Sequence, residues 1–162
     1  MKNSSSILSN LLKETAVYID AANLERSVAD LGTKAPQIKH LRKDFYWKAK
    51  PKKYYGVDYK KLFKYFKANS KLSNISFYTA SFQTESHDNF LAFLKRNGYR
   101  LVTKNIKNIL TSENTHQRKA NFDVEIATDS LESMKNYKTL ILFSGDSDFA
   151  YLIKRLRQNG KN

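Results

Sequence analysis

Short apolar runs alternate along the chain with stretches whose apolar positions recur at helical spacing. Thr15–Ala16–Val17–Tyr18–Ile19 is an apolar run that stops at Asp20, the pattern of a buried strand. Asn23 to Leu31 reads as a helix with Gly32 as its C-terminal cap. Asp58 is placed to cap a helix reaching about Ala68, with Leu62, Phe63 and Phe66 on one face. Ile75–Ala80 is a second strand. Ser86 is placed to cap a helix over His87–Asn97, which has Phe90, Leu91 and Leu94 on its apolar face and the stop signal Asn97–Gly98. Tyr99–Lys104 is a third strand, and the polar segment Ile106–Ala120 reads as a flexible loop. Phe122–Lys135 is a helix that buries Phe122, Ile126 and Leu131 wholly or in part. Thr139–Phe143 is the clearest strand, followed by the turn Ser144–Gly145–Asp146 and a last helix over Ser147–Asn159.

Strands alternating with helices predict an α/β fold, with a parallel sheet covered on both faces. In such sheets the ligand crevice lies beyond the carboxyl ends of the strands, where the strand order reverses. Two of the predicted strands end in acids there: Asp20 after the first, Asp146 and Asp148 after the fourth. A length of 162 residues predicts a single domain over 1–162. The least regular part, about 36–57, reads as an insertion with one helix from Gln37 to Lys48.

Charge changes this picture most. The formal net charge is +14, which favours a polyanionic partner, nucleic acid ahead of an anionic membrane. Apolar residues make up 41% of the chain, enough for a core. With no cysteine, disulfides and thiolate metal ligands are excluded. The N-terminal stretch to Glu14 lacks the apolar run of a signal peptide, and no stretch is long enough to cross a bilayer; a cytoplasmic protein is expected. His40, His87 and His116 show no metal-ligand spacing.

The positive charge is densest between Lys39 and Lys67, where eleven Lys and Arg face only Asp44 and Asp58, a net +9. Phe45, Tyr46, Trp47, Tyr54, Tyr55 and Tyr59 are interleaved. Lysines attract phosphates with little sequence preference, and aromatic rings stack on unpaired bases for roughly 1–3 kcal/mol each. Trp47, Lys50, Lys52, Lys53, Tyr54 and Tyr55, beside Pro51, are therefore candidate contacts for single-stranded RNA. Phe63 and Phe66 are expected to pack inward.

Hard divalent ions such as Mg2+ and Mn2+ take oxygen ligands. Asp146 and Asp148 lie two apart in a turn, where both can face one cavity, and Gly145 lets the backbone turn before them. Asp20 joins them if the first and fourth strands pair. Asp123 falls in the first turn of its helix, where the macrodipole favours negative charge. Four carboxylates in one crevice repel unless a cation shares the charge, and a coordinated water is easier to deprotonate for phosphodiester attack. Each Asp taken singly has an ordinary alternative as a turn or cap residue. Lys119 and Asn23 are candidates to orient phosphate oxygens and the attacking water.

These residues also resemble a known family. Tyr18–Ile19–Asp20–Ala21–Ala22–Asn23–Leu24 is similar to the opening motif of NYN domains, in which two apolar residues precede D-x-x-N-L. Lys119–Ala120–Asn121–Phe122–Asp123–Val124–Glu125–Ile126–Ala127–Thr128–Asp129 resembles their central K-G-x-D-V-x-L-x-x-D motif, and Ser144–Gly145–Asp146–Ser147–Asp148–Phe149 their S-G-D-x-D-F motif. The three stand in the family's order, and the likeness runs from about Val17 to Gly160.

The resemblance, to LabA-like members of the PIN-like nuclease superfamily, implies a Rossmann-like sheet of order 3-2-1-4-5, a Mg2+ or Mn2+ site and endoribonuclease activity. By motif, Asp20, Asp123, Asp146 and Asp148 are the catalytic, metal-binding acids, with Asn23, Lys119 and Ser144 as polar support. Asp129 also matches, but lies about 240° round the helix from Asp123, so it is expected behind the ligands. The glycine expected after Lys119 is replaced. Members usually continue past Gly160–Lys161 into a fifth strand, so order 3-2-1-4 with the last edge strand missing is expected.

The competing expectation is an RNA-binding or adaptor module with a silent acidic site. A phosphatase on such a sheet wants two Asp just after the first strand, where this chain has Asp20–Ala21–Ala22. No strongly amphipathic basic helix suggests a membrane surface. A homodimer stays open, and four carboxylates serve one ion or two.

Overall fold

The computed structural model describes residues 14–33, 56–82, 84–105, 107–110, 116–119 and 121–162. The expected helix at 37–48 and the candidate contacts Trp47, Lys50, Lys52, Lys53, Tyr54 and Tyr55 lie outside the described residues.

Four parallel strands form the main sheet: β1 (Glu14–Asp20), β2 (Lys71–Ser81), β3 (Arg100–Asn105) and β6 (Thr139–Phe143), in the order β3-β2-β1-β6. This is the Rossmann-like order 3-2-1-4 of the core strands. β1 is central and buried on both sides, so its side chains divide by parity. Ala16 and Tyr18 face one core with Tyr78, Phe122, Ile126 and Phe149. Val17 and Ile19 face another with Phe66, Ile75, Phe77, Leu94 and Tyr99.

Helix α1 (Ala21–Thr33) follows β1 directly. It continues through Gly32 rather than ending there, and starts at Ala21 because Asp20 itself accepts the Asn23 backbone N–H. α2 (Tyr59–Asn69) is capped by Asp58, whose carboxylate accepts the Lys61 N–H at 2.9 Å. It buries Tyr59 and Phe66 and leaves Lys60, Lys61, Lys64 and Lys67 exposed. Tyr59 thus belongs to the core, tied to β3 through the Tyr99 hydroxyl, which donates to its carbonyl at 2.7 Å. α3 (Glu85–Arg96) is capped by Thr84, not Ser86, which lies inside the helix. The turn into β3 needs Gly98, at φ +94 with the Phe63 ring where a Cβ would point.

Two further differences are local. The segment read as a loop contains an antiparallel hairpin, β4 (Lys107–Leu110) paired with β5 (His116–Lys119). His116–Gln117–Arg118–Lys119 has no apolar alternation, so backbone pairing is its only strand signature. α4 (Asp123–Glu132) passes into a 3-10 turn at Ser133–Asn136, and Leu131 is exposed rather than buried.

The last helix, α5 (Ala150–Gln158), is preceded by a 3-10 turn at Ser147–Phe149. Beyond it the backbone of Asn162 donates to Lys138 and accepts from Leu140, the pattern of a parallel bridge on the outer edge of β6. No helix among the described residues is long and apolar enough to cross a membrane.

Candidate metal and nucleic-acid site

The register aligns the strand ends that carry the acids. Ile19 of β1 sits level with Phe143 of β6, and Asp20 with Tyr78 of β2. Asp20, Asp123, Asp146 and Asp148 all line one cleft of about 520 Å³ beyond these ends, together with Asn23, Glu25, Arg26, Tyr78, Thr79, Phe82 and Asn121. That volume is within the range of small-molecule sites.

Three of the acids converge. One carboxylate oxygen from each of Asp123, Asp146 and Asp148 lies within 4.8 Å of the others. Each is positioned by local backbone chemistry. Asp146 caps the 3-10 turn by accepting the Asp148 N–H at 2.9 Å, and Phe149 anchors that turn in the core. Ser144 accepts the Asp146 N–H at 3.2 Å, which closes the turn behind β6.

Asp123 opens α4. Asn121 accepts its N–H at 2.8 Å and donates from its amide to Oδ2 at 2.6 Å, so one side chain both satisfies the first N–H of the helix and orients the acid. Asp20 lines the same cleft but lies outside that group of mutually close oxygens. It is 7% exposed, and Asn23 donates to it twice, from Nδ2 at 2.6 Å and from the backbone at 3.3 Å.

The donor set is all oxygen, which suits Mg2+ or Mn2+ better than a soft metal. Three like charges this close are costly without a cation between them. Helix N-termini offset part of that cost at Asp20 and Asp123.

Two positioning residues were not among the expected site residues. Asn121 had a local signal, an Asn two residues before an acid that opens a helix. Lys104, at the end of β3, gave none. Its ammonium pairs with Glu125 at 2.5 Å, donates to the Asn121 carbonyl at 2.9 Å and lies 5.2 Å from the Phe122 ring centroid. It therefore holds the approach to Asp123 from the neighbouring strand. Lys119 ends β5, opposite Lys107 and two residues before Asn121.

Asp129 has different partners. Arg100 donates to its Oδ2 at 2.6 Å and Tyr78 to the same oxygen at 2.8 Å. Burial pushes its pKa up, but these two hydrogen bonds prevail and hold it below the ordinary carboxylate value. Burial, reinforced by Asp129, raises the Tyr78 hydroxyl, which stays protonated as a donor. The Asp129 carbonyl is itself bonded by Tyr18 and Ser133.

Comparison with known proteins bears on the family and the fold. The chain is 33% identical over 89 residues to the low amplitude and bright protein LabA of Synechococcus elongatus, a match taking in 54% of this chain and 48% of LabA. It thus spans about half the length of that relative. A solved protein of unknown function from Vibrio parahaemolyticus shares the fold, with a TM-score of 0.64 over 92% of this chain and 76% of that one at 18% identity. A model of the NYN domain matches residues 14–162, a span that takes in all three motifs and every acid of the cleft, and the chain belongs to the NYN domain family.

Proposed function

We propose that this NYN domain is a metal-dependent endoribonuclease hydrolysing phosphodiester bonds in single-stranded or structured RNA. The observation that carries the proposal is the convergence of Asp123, Asp146 and Asp148 within 4.8 Å at the strand ends. Held there, Mg2+ or Mn2+ would neutralise charge on the phosphodiester and lower the pKa of a coordinated water.

The protein's own part is to orient. Asn121 fixes Asp123, Ser144 and the 3-10 turn fix Asp146 and Asp148, and Asn23 fixes Asp20. Asp20, which lines the same cleft, would hold the ion with the other three acids or a water bound to it. Lys119 and Asn23 contact phosphate oxygens of the substrate. Trp47, Lys50, Lys52, Lys53, Tyr54 and Tyr55 bring RNA to the cleft. Asp129 supports α4 through Arg100 and Tyr78 and takes no part in coordination. A net charge of +14 supports an RNA partner, and the reading places the domain in the cytoplasm.

The test is incubation with labelled single-stranded RNA, with Mn2+ or with a chelator, beside Asp146→Asn. Cleavage that needs metal and disappears in the variant is expected. Tight binding without cleavage in every metal tried would make the domain an adaptor. Cleavage that survives Asp146→Asn would remove the site assignment.

A further inference from the structure

We propose that the β2 side of the cleft is a seat for one unpaired nucleotide, with Phe82 stacking on the base and Arg26 holding the adjoining phosphate. The proposal rests on the ribonuclease reading of the same cleft and adds a substrate geometry to it: a single-stranded segment.

The cleft is larger than a metal ion needs. Mg2+ with its oxygen shell at about 2.1 Å leaves most of the 520 Å³ for something else. The acids and the aromatic lie on different strands. Asp146 and Asp148 follow β6, Phe82 follows β2, and β1 runs between them. Two strand spacings set these walls roughly 10 Å apart. A scissile phosphate at the acids therefore leaves a neighbouring base to reach Phe82.

Phe82 is 41% exposed. Scattered exposed apolar side chains are ordinary, and Tyr65, Val124, Leu131, Tyr151 and Ile153 are also exposed without lining this cleft. Phe82 differs in being both in the cleft and rooted. Its ring meets His87 edge to face at 4.8 Å, His87 meets Phe90 at 6.3 Å, and Phe90 meets the core rings of Tyr59 and Phe77 at 5.6 and 6.1 Å. A ring held by such a series loses little freedom when a base stacks on it, and every base offers a π-face.

Arg26 supplies the charge. Among the described residues it is the cation that lines this cleft, against Asp20, Glu25, Asp123, Asp146 and Asp148. It lies one turn beyond Asn23 on the same face of α1. It is exposed and has no ion pair among the described residues, whereas Glu25 beside it accepts the Tyr59 hydroxyl at 3.2 Å. A planar guanidinium with nothing to hold is suited to phosphate.

The experiment measures binding of fluorescent oligouridylate, and of a base-paired duplex of equal length, in chelator so that nothing is cut. Phe82→Ala is expected to weaken oligouridylate binding about 5- to 100-fold and duplex binding by less than about twofold. Arg26→Ala is expected to weaken it and reduce the salt slope by about one. Phe82→Trp should retain affinity, and its fluorescence should be quenched more than that of the parent, whose own tryptophan is Trp47, as the oligonucleotide binds. That variant reads the seat even if Phe82→Ala misfolds.

Unchanged affinity in both alanine variants, or no more quenching in Phe82→Trp than in the parent, would overturn the seat while metal-dependent cleavage still upheld the nuclease. Absence of cleavage in every metal, with oligouridylate binding lost in Phe82→Ala, would remove the nuclease and keep the seat.

Discussion

Asp123 and Asp129 stand six residues apart on one helix, and their carboxylates have opposite surroundings. Asp123 opens α4 toward two other acids, with an amide as its hydrogen-bond partner. Asp129, near the helix end, is matched by a guanidinium and a phenol. The helix dipole favours an acid at the first position and opposes one near the last, so Asp129 needs Arg100 and Asp123 does not. One region spends its charge on holding the fold together. The other brings three carboxylates together with no ion pair among the described residues. Helical spacing already sets the two acids on different faces, and their partners show what each face does.

Breaking the open region should have the largest effect. Asp146→Asn or Asp148→Asn is expected to lower metal-dependent RNA cleavage by at least about 100-fold. Without metal, either variant should melt no lower than the parent, because a like-charge contact is relieved. A clear loss of thermal stability would show that these acids belong to the fold. Asn121→Ala is expected to cost about tenfold in cleavage, the scale for a group that orients a ligand, and about 1 kcal/mol of stability from the lost bond to the first N–H of the helix. Cleavage kinetics and denaturant unfolding separate the two effects.

The closed region should respond the other way. Asp129→Asn is expected to cost about 1 kcal/mol, kept small because the Arg100 side chain is half exposed. That corresponds to roughly 2–4 °C in melting temperature for a domain of this size, with cleavage unchanged. The pH dependence has a definite sign. The folded pKa of Asp129 lies below its unfolded value, so its contribution is complete above the unfolded value, near 4. It is lost as pH falls through the folded value. The parent and Asp129→Asn should therefore differ at pH 7 and converge in acid, measured by urea unfolding. A gap that widens below pH 4 would contradict the assigned partners. The smallest effect is expected for Lys104→Met, a loss of cleavage below about threefold, since Asn121 still holds Asp123.

Much of this was legible in the chain because the relevant signals are local. The apolar runs at Thr15–Ile19 and Thr139–Phe143 and the glycine stops place the elements, the strand order came from the family resemblance, and helical geometry alone set Asp129 away from Asp123. Legibility failed where structure rests on groups without a pattern. The first residues of β2, Lys71 to Asn74, alternate weakly and are strand because they pair with β1. The hairpin is strand by backbone pairing alone. Ser86 reads as the cap in sequence, and the bond that the His87 N–H donates to Thr84 decides against it. The separation of Asp20 from the other three acids, and the reach of Lys104 across to Asn121, depend on side-chain contacts between elements distant in sequence.

The central claim is that Asp123, Asp146 and Asp148 hold a divalent cation while Asp129 does not. Calorimetric titration with Mn2+ tests it without reference to any substrate. The parent and Asp129→Asn should bind with equal affinity, and Asp148→Asn should lose at least about tenfold. Undiminished binding in Asp148→Asn, or loss of binding in a folded Asp129→Asn, would contradict it.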